Sequence, residues 1–225
     1  MYYRKIIKIF FNFYKKVILY KKLKRKKLPK YFCIRQPENK YEYDEMYALR
    51  YLVYCEEYKY LDRVDYLDKR ERDKYDPYSV HYILVYNKFK QSVVGTVRII
   101  KNSTVGFPIE NNFKLRKDLY NINKDKIVEI SRLIVKKEYR SQYFMLDLFK
   151  KLYQYCKENN ITHIYAVMDD NLHKPLVNMG FIFKKIGEVG SYQGLTTPYL
   201  LTINDLENSL YKNNKVMFDY LKYSL

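Results

Sequence analysis

One apolar run of this chain has three polar residues set into it. Residues 127–135 read Ile-Val-Glu-Ile-Ser-Arg-Leu-Ile-Val, with Glu129, Ser131 and Arg132 among β-branched and aliphatic neighbours. Such a run predicts a central strand. A carboxylate or guanidinium is seldom buried there unless it is paired or functional. A dry carboxylate can take up a proton, and a dry guanidinium can hold an anion. In a regular strand Glu129 and Ser131 share one face and Arg132 points to the other, and a bulge would change that. For Glu129 and Arg132 alone, an internal ion pair that only fixes register remains an equal reading.

Counterparts for these groups lie upstream. Tyr47, Arg50 and Tyr54 recur at helical spacing in a segment that Asp44 opens and that runs to about Tyr58. A long polar connection, 59–79, follows, with Asp68, Glu71, Asp73 and Asp76 alternating with Lys and Arg. A solvated charge run is one reading, but connections of this length more often carry function. Arg98 interrupts another apolar run and calls for a carboxylate.

The elements that must position these residues follow in order. Residues 81–87 and 92–101 predict two antiparallel strands about a hairpin turn, and Gly95 within the second marks a bulge or a close approach. A short helical crossover, 107–119, leads to the strand 127–135. A helix over 144–158 then places Met145, Leu148, Leu152 and Cys156 on one face. Beyond it come a strand (161–168), a helix ending at Gly180, a strand (181–187), a strand (197–203) and a helix (205–223) capped by Asn204 with Glu207. This order predicts an α/β domain with a mixed sheet flanked by helices.

Composition separates the two ends of the chain. Residues 1–30 hold 12 Lys or Arg and no acid, whereas the rest holds 31 basic and 25 acidic residues. The chain therefore divides into a basic amphipathic helix and linker, 1–30, and a folded domain, 31–225. No apolar run in the first segment reaches the ~20 residues of a membrane span, and no signal-cleavage pattern is present. A basic amphipathic helix can lie on an anionic membrane, cover the domain core or dock an acidic partner. Cys33, Cys55 and Cys156 have neither disulfide nor metal spacing, nor do His81, His163 and His173, so no metal is expected. Core thiols and the lack of a leader pattern point to the cytoplasm, peripheral to the inner face of a membrane if the basic segment binds lipid.

Two layers of resemblance arise from these residues. The element order resembles the GNAT acyltransferase fold, with 127–135 as its fourth strand and Leu176–Phe181 as its helix–glycine–phenylalanine turn. That resemblance implies a donor site at Leu133, Val135 and Arg140. Ordinary acetyl-CoA members carry a glycine-rich loop after this strand. Here Arg140 matches its arginine, but Tyr143 and Met145 stand where small residues belong. Small residues let backbone amides approach a pyrophosphate, so their loss speaks against tight CoA binding. A narrower resemblance, over about 45–205, is to acyl-homoserine-lactone synthases of the LuxI type and to FeeM-type N-acyl amino acid synthases, including exosortase-associated acyltransferases. It rests on Arg50 and Tyr54, then Glu71, Asp73, Tyr75 and Asp76, then Arg98, then Glu129, Ser131 and Arg132. Ser79 and His81, the segment 107–110, and Gly194, Pro198 and Tyr199 look FeeM-like. Lactone synthases usually carry tryptophan around the cleft, and this chain has none.

The resemblance implies transfer of a fatty acyl group from a thioester to the amine of an amino acid or related small amine. Glu129 and Ser131 are the implied catalytic positions, Glu129 as general base. Arg50, Tyr54, Glu71, Asp73, Asp76, Arg98 and Arg132 form the implied cleft network, with one arginine expected free for an acceptor carboxylate. No bound cofactor is implied. The co-substrate is an acyl-phosphopantetheine, carried on acyl-carrier protein or on CoA, with the carrier protein favoured. An acyl-homoserine-lactone synthase is the alternative product class. A nucleic-acid-binding protein and a non-catalytic, membrane-attached domain are alternatives of other kinds. The first is weakened because the positive charge sits mostly in a tail and no helix-turn-helix or RNA-binding motif occurs.

Overall fold

A computed structural model describes residues 20–25, 27–116 and 121–223. The basic amphipathic helix expected over the first segment therefore lies almost wholly outside the described residues, as does the end of the 107–119 crossover.

Eight strands form a mixed sheet in the order β1-β2-β3-β4-β5-β8-β6, with β7 pairing β8 beside it. They are β1 (Phe32–Arg35), β2 (Ser79–Tyr86), β3 (Ser92–Lys101), β4 (Ile127–Val135), β5 (His163–Met168), β6 (Lys184–Lys185), β7 (Gly190–Ser191) and β8 (Leu195–Thr202). The helices are α1 (Lys40–Tyr51), α2 (Pro108–Asn112), α3 (Phe144–Glu158), α4 (Asp170–Asn178), α5 (Ile203–Asn213) and α6 (Lys215–Lys222). This is the GNAT-like α/β architecture expected. Among the described residues only the central pair β4–β5 is parallel, as its helical crossover α3 allows.

Two faces of β4 serve two cores. Val128 and Ile130 join Phe144, Leu148, Leu152 and Cys156 of α3. Ile127 joins Phe107, Ile109, Tyr165 and Ile186 on the opposite face. Beyond Ser131 the alternation slips. The register with β3 shifts between Thr96 and Arg98, and Arg132 takes a left-handed backbone with φ 52°. This bulge puts Ile134 with Met46 and Leu49 of α1, while Leu133 and Val135 turn to the α3 side. It also swings Arg132 to the face that carries Glu129 and Ser131. A second irregularity, between Leu84 and Val85, lies opposite Gly95. A Cβ at Gly95 would stand 3.1 Å from the Ile134 carbonyl, so the residue is a close approach as well as a bulge neighbour.

Several boundaries differ from the sequence reading, each for a local reason. Helix α1 starts at Lys40, not at Asp44, because Asn39 caps it by accepting from the Glu42 amide at 3.1 Å. It then widens into a π-helical turn, Leu52–Glu57. β1 is an additional four-residue edge strand. The terminal helix is two helices, α5 and α6, capped by Thr202 and Asn214 in place of Asn204 with Glu207. Of 181–187 only Lys184–Lys185 pairs as strand.

Candidate active site

The charged residues of the sequence pattern meet on one face of β3 and β4. Arg50 comes from the last turn of α1, Glu71, Asp73 and Asp76 from the connection before β2, Arg98 from β3 and Arg132 from the β4 bulge. Arg50 reaches Glu71 at 2.5 Å and grips Asp76 at 2.7 and 3.1 Å. Arg98 donates to Asp73 at 2.6 Å, to Asp76 at 2.9 Å and, through Nε, to the Ser131 hydroxyl at 2.8 Å. Arg132 holds both oxygens of Glu71, at 2.8 and 3.0 Å, and Asp73 at 3.1 Å. Three guanidiniums thus face three carboxylates, and the cluster is formally neutral. Neutrality and shared hydrogen bonds are what make such burial tolerable.

Aromatic rings floor this network. Tyr47 lies 5.2 Å from the Arg50 guanidinium and Tyr54 lies 5.0 Å from that of Arg132. The π-turn carries Tyr54, and such turns recur at functional sites. Burial pushes the Glu71 carboxyl up, but Arg132 and Arg50 outweigh it and hold it at about 2. Asp76 is likewise held well below the usual carboxylate range by Arg50 and Arg98 against its burial. His81, behind Asp76, is pushed down to about 4 by burial and stays neutral. The sequence reading expects one arginine to be free. All three are engaged, and within the network only Nη2 of Arg98 lacks a partner among the described residues.

Glu129 stands apart from the network on the same face. It is 2% exposed, and its Oε2 accepts the Ile109 amide at 2.9 Å. Burial pushes its carboxyl up to about 8, against the opposing pull of that amide and of Arg98. At neutral pH it is therefore mostly protonated, unlike Glu71 and Asp76, and it becomes a proton acceptor as it ionises in the weakly alkaline range.

One register step beyond Glu129 the central strands part. β4 and β5 pair from Ile127↔His163 to Ile130↔Ala166 and no further. The gap borders a cleft with about 100 Å³ of water-accessible space, lined where the strands part by Tyr54, Ser131, Arg132 and Leu133. Its depth is apolar, built by Phe149 and Leu152 of α3, Leu176 of α4, Leu201 of β8, and Ile203 and Leu206 of α5. Ser131 thus touches both the cleft and Arg98. Val135 is buried on the α3 side and its carbonyl accepts from Arg140 Nε at 2.8 Å. The Arg140 guanidinium is clasped by both oxygens of Glu57, so it is engaged by a protein carboxylate. Tyr143 adopts the left-handed conformation (φ 55°) where the loop would favour glycine, so the turn before α3 is made in spite of the larger side chain.

Some residues of the site were not foreseen. Gln193 accepts from Arg132 Nη1 at 3.0 Å, and Asp169 caps α4 while accepting from the Tyr60 hydroxyl at 3.2 Å. Both line a second, more polar cleft with Thr196 and Thr197. Neither has a sequence signal, since a lone Gln in a loop and an Asp before a helix are ordinary.

Comparison with known proteins agrees with this architecture. Residues 49–150, the stretch that carries the network and part of the cleft lining, match the model of the acetyltransferase (GNAT) domain. A CoA-dependent acyl-homoserine lactone synthase, BjaI, solved with SAM and isopentyl-CoA, superposes with a TM-score of 0.64 at 20% identity, over 81% of this chain and 82% of that one. FeeM, an N-acyl amino acid synthase from uncultured soil microbes, superposes with a TM-score of 0.57 at 14% identity, over 79% and 94% of the two chains. At such identities the likeness is one of fold. An L-ornithine N(alpha)-acyltransferase of Brucella abortus (strain 2308) is 25% identical over 128 residues, 52% of this chain. The match spans about half of that relative, 45% of its length.

Proposed function

We propose that this protein is an N-acyltransferase that moves a fatty acyl group from a thioester to the amine of an amino acid, giving an N-acyl amino acid. The observation that carries this reading is a dry, proton-exchanging carboxylate beside a parted strand pair that opens into an apolar cleft. The acyl chain enters the cleft on the α3 side. The acceptor amine approaches on the face of Glu129 and the ionic network. In its ionised form Glu129 takes a proton from the ammonium, directly or through a water. The freed amine attacks the thioester carbon. Strand amides exposed where β4 leaves β5 receive the developing oxyanion, with the Ser131 hydroxyl beside them. The nitrogen of the intermediate gives up its second proton as the C–S bond breaks, and the departing thiolate takes up that proton through solvent.

The network shapes the acceptor side and does not itself exchange protons. The donor is acyl-carrier protein: Tyr143 and Met145 crowd the loop where CoA phosphates are usually held, and Arg140 is already given to Glu57. An acidic carrier also suits the excess of positive charge. The relative named for ornithine and the FeeM fold support an amino acid as acceptor. The BjaI fold, named as CoA-dependent, favours a second reading, a lactone synthase, and superposes with a TM-score of 0.64 against 0.57 for FeeM. Residues 1–30 hold the protein on the cytoplasmic surface of an anionic membrane, with Lys22 and Leu23 tying the segment into the folded domain. No helix among the described residues is long and apolar enough to cross one.

Mass spectrometry of lipid extracts from cells expressing the protein tests the product. A new N-acyl amino acid supports the proposal, a new lactone replaces it by the second reading, and no new acyl product from active expression removes both. Turnover with acyl-carrier donors should exceed that with matched acyl-CoA and fall as salt rises. Equal or better use of acyl-CoA overturns the donor assignment.

A further inference from the structure

The β2–β3 hairpin tip, residues 87–91, has no part in the site. Phe89 at its apex is 85% exposed and lies between Lys88 and Lys90. Lys88 Nζ sits 4.9 Å from the Phe89 ring and 5.7 Å from that of Tyr31, which is itself exposed at the start of β1. The Asn87 amide donates to the Tyr31 carbonyl at 3.0 Å, which ties tip and linker together. Lys30 also stands over the Tyr31 ring. Two aromatic rings and their flanking lysines therefore form one projecting patch.

The place of this patch in the fold is informative. β3 runs antiparallel to β4, and Gly95 pairs with Val135, so the tip projects past the C-terminal end of β4. That is the end at which β4 and β5 part and the cleft opens. The amino-terminal segment arrives at the same end. Lys22 is buried in an ion pair with Asp147 in the first turn of α3, and Leu23 enters the core beside it. Residues 1–19, with five basic groups and no acid, join the described chain next to that anchor.

We propose that Phe89, with Lys88, Lys90 and Tyr31, inserts into the interface of an anionic membrane as a second contact beside the amino-terminal segment, holding the cleft mouth at the lipid surface. The membrane part of the proposed function underlies this inference. A convex tip with an apolar apex fits a soft lipid interface; a protein groove would have to be shaped to receive it. Lysines beside the ring meet the headgroups, as juxtamembrane basic groups do. One weak anchor gives only reversible binding, and two signals give stable attachment. The arrangement also delivers a long-chain product to the bilayer without crossing water.

The protein has no tryptophan, so Phe89→Trp introduces a single reporter. Full-length F89W is mixed at low salt with vesicles of phosphatidylglycerol and phosphatidylcholine. Tyr211→Trp, at an exposed position of α5, serves as the control. A blue shift of the F89W emission and none of the Y211W emission is expected, and a triple variant, K88S/F89S/K90S, should lower vesicle affinity by about tenfold or more. Soluble-substrate turnover without vesicles should be unchanged in that variant, which keeps the acyltransfer reading separate. Vesicle binding by F89W with no shift in its emission overturns the hairpin contact and leaves the amino-terminal attachment intact. A shift with acyl-carrier protein and none with vesicles makes the tip a protein dock and overturns the proposal. Wild-type protein that ignores the vesicles removes both membrane statements.

Discussion

Glu71 and Glu129 are both buried glutamates on the same side of one sheet, and they behave in opposite ways. Glu71 is fully enclosed, yet two guanidiniums hold it ionised, with its carboxyl at about 2. Glu129 is as dry but, among the described residues, has one amide partner and no ion pair, and burial pushes it to about 8. The difference teaches that burial alone does not define a proton-transfer group. What defines it is burial without compensation, next to an opening.

The sharpest way to break this comparison is to remove the carboxylate charge on each side in turn. Glu129→Gln keeps shape and hydrogen bonding but cannot take a proton. Its kcat/KM should fall about 10²–10⁴-fold with folding intact, and raising pH should partly restore it, because more acceptor amine is already neutral. A near wild-type rate at neutral pH would assign the base to another group. Glu71→Gln should act on stability first. Arg50 and Arg132 each lose their shared counter-ion, and stranding a buried charge typically costs about 3–5 kcal/mol, which urea unfolding measures. Unfolding at the wild-type midpoint would show that the network is not a structural brace.

The pH dependence of stability separates the two groups further. A glutamate raised to about 8 in the folded state binds a proton there that the unfolded chain gives up near its ordinary value of 4.5. Its contribution is therefore fully present below 4.5 and is lost as pH rises through about 8. Glu129→Gln should then unfold at a higher urea concentration than wild type at pH 8–9 and not at pH 4. Glu71 has the opposite sign: its contribution is present above 4.5 and lost as pH falls through about 2. A wild-type minus Glu129→Gln difference that does not change with pH would contradict the raised value. The smallest effect belongs to Gln193→Ala, which removes one neutral partner of Arg132 at the rim and should cost about 1 kcal/mol or less. A larger loss would place Gln193 within the brace.

Much of this was legible in the chain. The apolar context of Glu129, Arg98 and Arg132 marks them as buried, and the family resemblance, not spacing alone, marks Glu71, Asp73 and Asp76 as part of the cleft network. The succession of most elements along the chain follows from their apolar patterns, and with it a mixed sheet. What the pattern could not supply was phase. A regular strand separates Arg132 from Ser131, and only the left-handed bulge brings them to one side, a backbone event with no residue signature when the residue is arginine. Asp44 offers as good a helix start as Asn39, so the sequence does not single out the cap that is used. β1 escaped because four half-buried residues at a sheet edge show no alternation. The break between α5 and α6 depends on Asn214 capping in the middle of a continuous helical pattern.

The left-handed arginine also constrains how this protein can change over generations. At most such positions glycine is the easy replacement, because it relieves the backbone. Here glycine would relax the turn and at the same moment leave Glu71 with Arg50 alone and the cluster short of one positive charge. Lysine would keep the charge and the strain but lose the two-pronged grip, and any other side chain would keep the strain and lose the charge. The position therefore has no single-substitution exit toward a relaxed strand. Leaving it requires the loss of its acidic partner in the same lineage, so the bulge and the ion cluster are inherited or abandoned together.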